Sequence, residues 1–229
     1  VRVDATENEG WFYEGAGIYR HVWLVKTAPV HVPQWGAVVT SEVRGTAAHL
    51  HLQTTVVNDG DTDADCRVVS RVVDAAGATQ ASAVAGGVRV PAWGQATVDQ
   101  TATIAHPERW SVDAPHLYRL VTTIETAGAP VDDFETTFGV RTMHFDADRG
   151  FFLNDARVEL RGTCNHQDHA GVGSALPDRL QFYRIARLKA MGCNAYRTSH
   201  NPPTPELLDA CDRLGMLVLN ETRMFSSSP

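Results

Sequence analysis

Between about residues 37 and 142, apolar and polar residues alternate with a period of two. Leu50-His-Leu-Gln-Thr-Thr-Val-Val57 runs into the turn Asn58-Asp-Gly60, and Cys66-Arg-Val-Val-Ser-Arg-Val-Val73 ends at Asp74-Ala-Ala-Gly77. Further strands are expected at Val88-Arg-Val90, from Ala96 to Ile104, from Leu117 to Glu125 and from Asp132 to Val140. About seven short strands at this spacing, with no helical stretch between them, predict an immunoglobulin-like β-sandwich. Pro107 to Tyr118 reads as a proline-bounded crossing loop with two aromatic anchors, Trp110 and Tyr118.

Past Phe145 the period changes. Phe151 to Asp155 and Arg157 to Leu160 form a hairpin-like lead into a strand that ends near Arg161-Gly-Thr-Cys-Asn165. From Asp178, Leu180, Ile185, Leu188 and Met191 recur near helical spacing, with Arg184, Arg187 and Lys189 expected outward and Gly192 as the stop. Asn194 to Thr198 is the next strand. Thr204 caps a second helix with Pro205 at its first position, and that helix runs to Gly215 before a strand from Met216 to Asn220. Strand, helix, strand, helix, strand is a βαβαβ unit with a parallel sheet, the opening of a (β/α)8 TIM barrel.

The first 33 or so residues read as a strand, a loop at Glu14-Gly-Ala-Gly17 and a second strand, Ile18-Tyr-Arg-His-Val-Trp-Leu-Val25. Two strands cannot cover their own apolar face, so this piece is expected to need partners outside the chain. The chain starts at Val1 without a Met or a signal peptide, and stops at Pro229 after three barrel strands. It is expected to be a fragment, truncated within the barrel. Compartment is left open among cytoplasm, periplasm and secretion.

Composition alters little in this picture. At 43% hydrophobic and 21% charged, the chain is ordinary for a soluble globular protein. The net charge of -7 argues against a nucleic-acid partner. No apolar run approaches the ~20 residues of a membrane span. Cys66, Cys164, Cys193 and Cys211 have no metal-type spacing and are expected as free thiols packed like small hydrophobes.

Chemistry concentrates at the ends of the three barrel strands, where such folds place their active sites. His166 and His169 follow the first, with Asp168 between them. Arg197 and His200 flank the end of the second, and Asn201-Pro-Pro203 fixes a rigid extended turn after it. His, Asn and Arg are directional hydrogen-bond partners for sugar hydroxyls, so His166, Arg197, His200 and Asn201 are the candidate substrate-binding residues. The alternative for Arg197 is an ion pair with Glu221 that merely holds the barrel mouth. Glu221 ends the third strand; as a glycosidase catalyst it would need a second carboxylate ~5–9.5 Å away. Glu221 and Asp168 are therefore expected as supporting residues, with no catalytic residue assigned.

Six motifs carry a family resemblance. They are Glu14-Gly-Ala-Gly-Ile-Tyr-Arg-His-Val-Trp-Leu24, Phe138-Gly-Val-Arg-Thr142, Gly150-Phe-Phe-Leu-Asn154, Arg161 to His169, and Arg197-Thr-Ser-His-Asn-Pro-Pro203 followed by Asp212-Arg-Leu-Gly-Met216. In order and spacing the chain resembles glycoside hydrolase family 2, and within it the bacterial β-galactosidases. The resemblance implies the end of a sugar-binding jelly-roll domain over 1–36, an immunoglobulin-like domain over 37–142 and the start of the catalytic barrel over 143–229. It implies a retaining hydrolase of terminal β-D-galactosides, with β-glucuronidase, β-mannosidase or a non-catalytic carbohydrate-binding module as alternatives. His166 and His200 fall on family positions that line the sugar pocket, and Arg197 on one close to it. The family's two catalytic glutamates lie further along than Glu221, so the isolated chain is expected to be inactive. Some members bind magnesium, or sodium, but Thr222-Arg-Met-Phe225 offers no carboxylate and no His, so no cofactor or metal is expected. The full-length form is left open to homo-oligomerisation.

Overall fold

The structure is a computed structural model that describes Arg2, Asp4 and residues 17–222. The strand expected at the N-terminus, most of the loop at Glu14 and the stretch after Thr222 lie outside the described residues. The chain divides into two compact units, Val25–Glu159, and Val1–Leu24 with Leu160–Pro229.

The first unit is the antiparallel sandwich. Its strands are β1 Val30–His31, β2 Ala37–Arg44, β3 Ala47–Asn58, β4 Ala64–Val73, β5 Thr79–Val90, β6 Gly94–Ala105, β7 Tyr118–Thr126 and β8 Ala129–Phe138. β3 is flanked by β2 and β6, with β1 pairing its far end, and the second sheet runs β5-β4-β7-β8. Alternation decides what faces inward. Leu50, Leu52 and Val56 of β3 are buried, whereas His49, His51 and Gln53 are exposed. Val68 and Val72 from β4, Leu120 and Ile124 from β7 and Ile104 from β6 complete the core. Each such side chain contributes about 1.5–3 kcal/mol by leaving water.

Some buried polar groups in this core are paired, whereas Thr54 Oγ1 and Thr122 Oγ1 find no hydrogen-bond partner among the described residues. Ser70 Oγ donates to Gln100 Oε1 at 2.6 Å, and Gln100 Nε2 donates to the Val68 carbonyl at 3.1 Å. The turn expected at Asn58 is built on its side chain, which accepts from Gly60 N–H at 2.9 Å and donates to the Thr62 carbonyl at 2.8 Å. Both expected anchors of the crossing loop are buried, Trp110 at 1% and Tyr118 at 4% exposure. A short antiparallel sheet follows: β9 Met143–Asp146, β10 Gly150–Leu153 and β11 Ala156–Arg157. The second arm of the expected hairpin is thus shorter than the sequence suggests, and Val158 to Leu160 lie outside any strand.

The second unit is the expected βαβαβ arrangement. β12 Gly162–Asn165, β13 Ala195–Thr198 and β14 Leu217–Leu219 lie parallel in that order, joined by α1 Asp178–Ala190 and α2 Pro205–Leu214. Gly162 is required by the close approach of β12 to β13: a Cβ there would lie 2.1 Å from the Ala195 carbonyl oxygen. Thr204 Oγ1 accepts from Leu207 N–H at the head of α2, and Gly215 ends the helix in the left-handed region at φ 72°. Ile185, Leu188, Tyr196, Leu207, Ala210, Cys211 and Met216 form the core between sheet and helices.

Three local expectations are corrected here. Residues 18–25 form no strand, because a strand is a property of a pair and no described strand offers them a ladder. Met191 is 73% exposed rather than buried, and Gln181 takes a place on the inner face of α1, accepting from Thr204 Oγ1 at 2.7 Å. Arg184 and Lys189 do not point away. Arg184 donates to the carbonyls of His166 and Asp168, and Lys189 Nζ to the Gly215 carbonyl at 3.0 Å.

Candidate active site at the barrel strand ends

Parallel strands deliver their next residues to one edge of the sheet, so the residues that follow β12, β13 and β14 gather there. The best-defined group is Arg197, His200 and Glu221. His200 Nδ1 lies 2.7 Å from Glu221 Oε2. A carboxylate only accepts, so Nδ1 carries the proton and the ring orientation is fixed. Arg197 Nε donates to the other carboxylate oxygen of Glu221 in a short ion pair. The Glu221 N–H in turn donates to Thr198 Oγ1 at 2.8 Å, tying the end of β14 to that of β13.

This bracket sets the charge state of Glu221. The hydrogen bond from His200, and then that from Arg197, hold its carboxyl below the ordinary carboxylate value. A general acid needs the opposite shift, so this environment suits a support rather than a proton donor. The ion pair considered as the alternative for Arg197 is therefore present. It coexists with the His200 contact, in one three-residue group.

His166 stands beside this group. Its ring meets that of His200 edge-on, with centroids 5.6 Å apart and planes at 89°. The loop that carries it is held from α1, since Arg184 Nη1 donates to the His166 carbonyl at 2.9 Å and Nη2 to that of Asp168. Asp168 thus contributes its backbone to loop support. His169 is set apart, in a small turn where its N–H donates to the Gly173 carbonyl at 2.9 Å. Asn201 is 6% exposed, and its side chain donates to the Ser199 carbonyl at 3.0 Å, which places it under the turn. The Ser199–His200 peptide within this turn is cis.

Two residues of this region escaped the sequence reading. Arg184 looks like a solvated helix residue by spacing, yet it braces the His166 loop. In sequence it is one of three arginines of α1, with Arg179 and Arg187, and nothing in the spacing sets it apart. Cys164 was expected to be packed away but is exposed, with Arg197 Nη1 donating to its Sγ at 3.3 Å. The bonds from Arg197 and Ser199 pull this thiol's pKa below the ordinary value. Cys66 and Cys211 are buried as expected, and burial pushes Cys211 up to about 12.

The class is defined by a sandwich of immunoglobulin topology followed along the chain by the opening strands of a TIM barrel, with His, Arg and Glu at the ends of those strands. The chain belongs to glycosyl hydrolases family 2. The family's model matches residues 30–141, and the model of its TIM barrel domain matches 147–228. The chain is 43% identical to a beta-galactosidase of Bacteroides ovatus over 224 residues, covering 96% of this chain and 26% of that protein. It is 31% identical to a putative beta-glucuronidase of Formosa agariphila, covering 92% of this chain and 24% of that one. A solved family 2 member from Bacteroides cellulosilyticus superposes with a TM-score of 0.89 at 35% identity, covering 96% of this chain and 30% of that one. The chain thus spans about a quarter of the length of these curated relatives.

Proposed function

We propose that this chain is part of a retaining β-galactosidase that releases terminal, non-reducing β-D-galactosyl residues. In this reading residues 1–36 end a jelly-roll domain, 37–142 are the immunoglobulin-like domain and 143–229 begin the catalytic barrel. His166 and His200 present imidazoles to the sugar hydroxyls, with Asn201 in the turn beside them. Glu221 and Arg197 hold His200 in register, and Asp168 supports the His166 loop. The acid/base and nucleophile carboxylates are supplied by other barrel strands. Because the chain has no paired carboxylates assigned to the double displacement, it is inactive by itself.

The observation that carries the proposal is the His200–Glu221–Arg197 bracket beside His166, at the edge where a barrel opens its pocket. The choice of a galactoside rests on the name of the Bacteroides ovatus relative. The glucuronidase reading stands second, on the names of the Formosa agariphila relatives.

The test is a substrate panel on a protein that carries this chain followed by a completed barrel. Release of nitrophenol from the β-galactoside, with little from the β-glucuronide and β-mannoside, is the expected result. Preference for the glucuronide would replace this reading with the second one.

A further inference from the structure

The stretch from Gly17 to Leu24 belongs to a sequence motif that the proposed site does not use. It is extended, forms no strand, and carries large apolar residues in the open, among them Trp23 at 70% and Leu24 at 94% exposure. Its polar residues behave differently. Three consecutive side chains, Tyr19, Arg20 and His21, each bond to a separate element of the barrel portion. Tyr19 Oη donates to Gln167 Oε1 at 3.1 Å across 148 residues of sequence. Arg20 Nη2 donates to the Pro202 carbonyl at 2.6 Å across 182 residues. His21 Nε2 lies 2.7 Å from Asp178 Oδ1 at the head of α1.

The targets of the first two bonds are informative. Gln167 is the residue after His166, and Pro202 is two residues after His200. Both histidines sit where the parallel ladder has ended, so their loops need bracing from elsewhere. Pro202 and Pro203 have no N–H, which leaves carbonyls as the groups this turn can offer to a neighbour. A charged guanidinium is a strong donor to such a carbonyl. Tyr19, Arg20, Gln167 and Asn201 also line one partly open cavity of about 20 Å³, room for roughly one water. The segment is therefore bonded to both loops, while Glu221 holds the His200 turn from β14 and Arg184 holds the His166 loop from α1.

We propose that Tyr19 and Arg20 are positioning residues for the His166–His200 pocket, acting as a strut on the two loops that carry those histidines. The strut's relevance to catalysis rests on the β-galactosidase reading, but the strut itself does not. A segment far away in sequence thereby becomes part of the site. Loss of its two bonds frees the loops without unfolding the unit.

The experiment has two arms, with Arg20→Met, Arg20→Lys and Tyr19→Phe. In the 229-residue chain, hydrogen exchange and histidine ring spectra are recorded for the parent and each variant. Arg20→Met is expected to speed exchange about tenfold at Ser199, His200, Asn201 and Thr204 and to move the His200 ring signals, with α2 and the sandwich unchanged. Arg20→Lys keeps a donor and is expected to restore part of the protection. Unchanged exchange at Ser199, His200, Asn201 and Thr204, or an equal rise throughout α1 and α2, would overturn the strut. In a barrel-complete protein, Arg20→Met is expected to lower kcat/KM for nitrophenyl β-galactoside about tenfold, mainly through kcat, with partial rescue by Lys. An unchanged kcat/KM with loosened loops would overturn the catalytic part alone. If that protein turns over no galactoside, the functional reading fails, and the exchange arm still decides the strut.

Discussion

His200 Nδ1 and Glu221 Oε2 lie 2.7 Å apart, linking a turn that follows β13 to the end of β14. The contact orients an imidazole and occupies a carboxylate at once. It makes His200 a ring of fixed direction, and it makes Glu221 a carboxylate that stays ionised.

The bracket has a defined pH window. Glu221 titrates below its ordinary value of 4.5 in the folded chain, so the stabilisation is complete above that value and is lost as the pH falls through the lower folded one. Protection of the amides of residues 198–201, taken as the intrinsic exchange rate divided by the observed one, is expected to be high and flat above pH 5 and to fall on further acidification. Glu221→Gln, which cannot ionise, is expected to show low protection throughout with no such pH dependence. A parent chain whose exchange at these residues follows only the intrinsic chemical rate would contradict the bracket.

The cysteines are expected to separate by reactivity. Cys164 is exposed and its thiol is made more acidic by Arg197 and Ser199, whereas burial raises both Cys66 and Cys211. Thiolate is the reactive form, so brief iodoacetamide treatment at neutral pH is expected to label Cys164 first and to leave Cys66 and Cys211 intact until the chain is unfolded. Peptide mapping reads the order directly. Early labelling of Cys211 would contradict the packing of α2.

Gly162→Ala tests the sheet that carries the site. Its Cβ would lie 2.1 Å from the Ala195 carbonyl oxygen, so β12 and β13 must separate. Overpacking of this kind costs about 1–3 kcal/mol, and backbone is a harder neighbour than a side chain. Urea unfolding followed by a probe in the second unit is expected to show that loss. A stability equal to the parent would mean that the two strands are further apart than described.

What was legible in the sequence is what local rules decide. Leu50, Leu52 and Val56 alternate with polar residues and face the core; Asn58 builds its turn; Thr204 and Gly215 begin and end α2. What was not legible depends on neighbours distant in the chain. The stretch 18–25 alternates like a strand, but alternation does not supply a partner. Arg184 lies on the polar side of α1 by spacing, and only the folding back of the His166 loop turns that side inward. Arg197 and Glu221 could be placed at the strand ends from sequence. Their ion pair was one of the two readings open for Arg197; that His200 takes the other oxygen of the same carboxylate follows from the register of three parallel strands, which periodicity does not reveal.

The central claim is that His200 contacts the galactoside, and His200→Ala in a barrel-complete protein tests it most directly. Loss of one such hydrogen bond costs ~0.5–1.5 kcal/mol, and more when its partner is charged or left unsatisfied. The account predicts that kcat/KM for nitrophenyl β-galactoside falls about tenfold or more while the melting temperature changes little. A variant that melts earlier but keeps the parent's activity per folded molecule would contradict it, and would leave His200 as a brace for the Asn201-Pro-Pro203 turn.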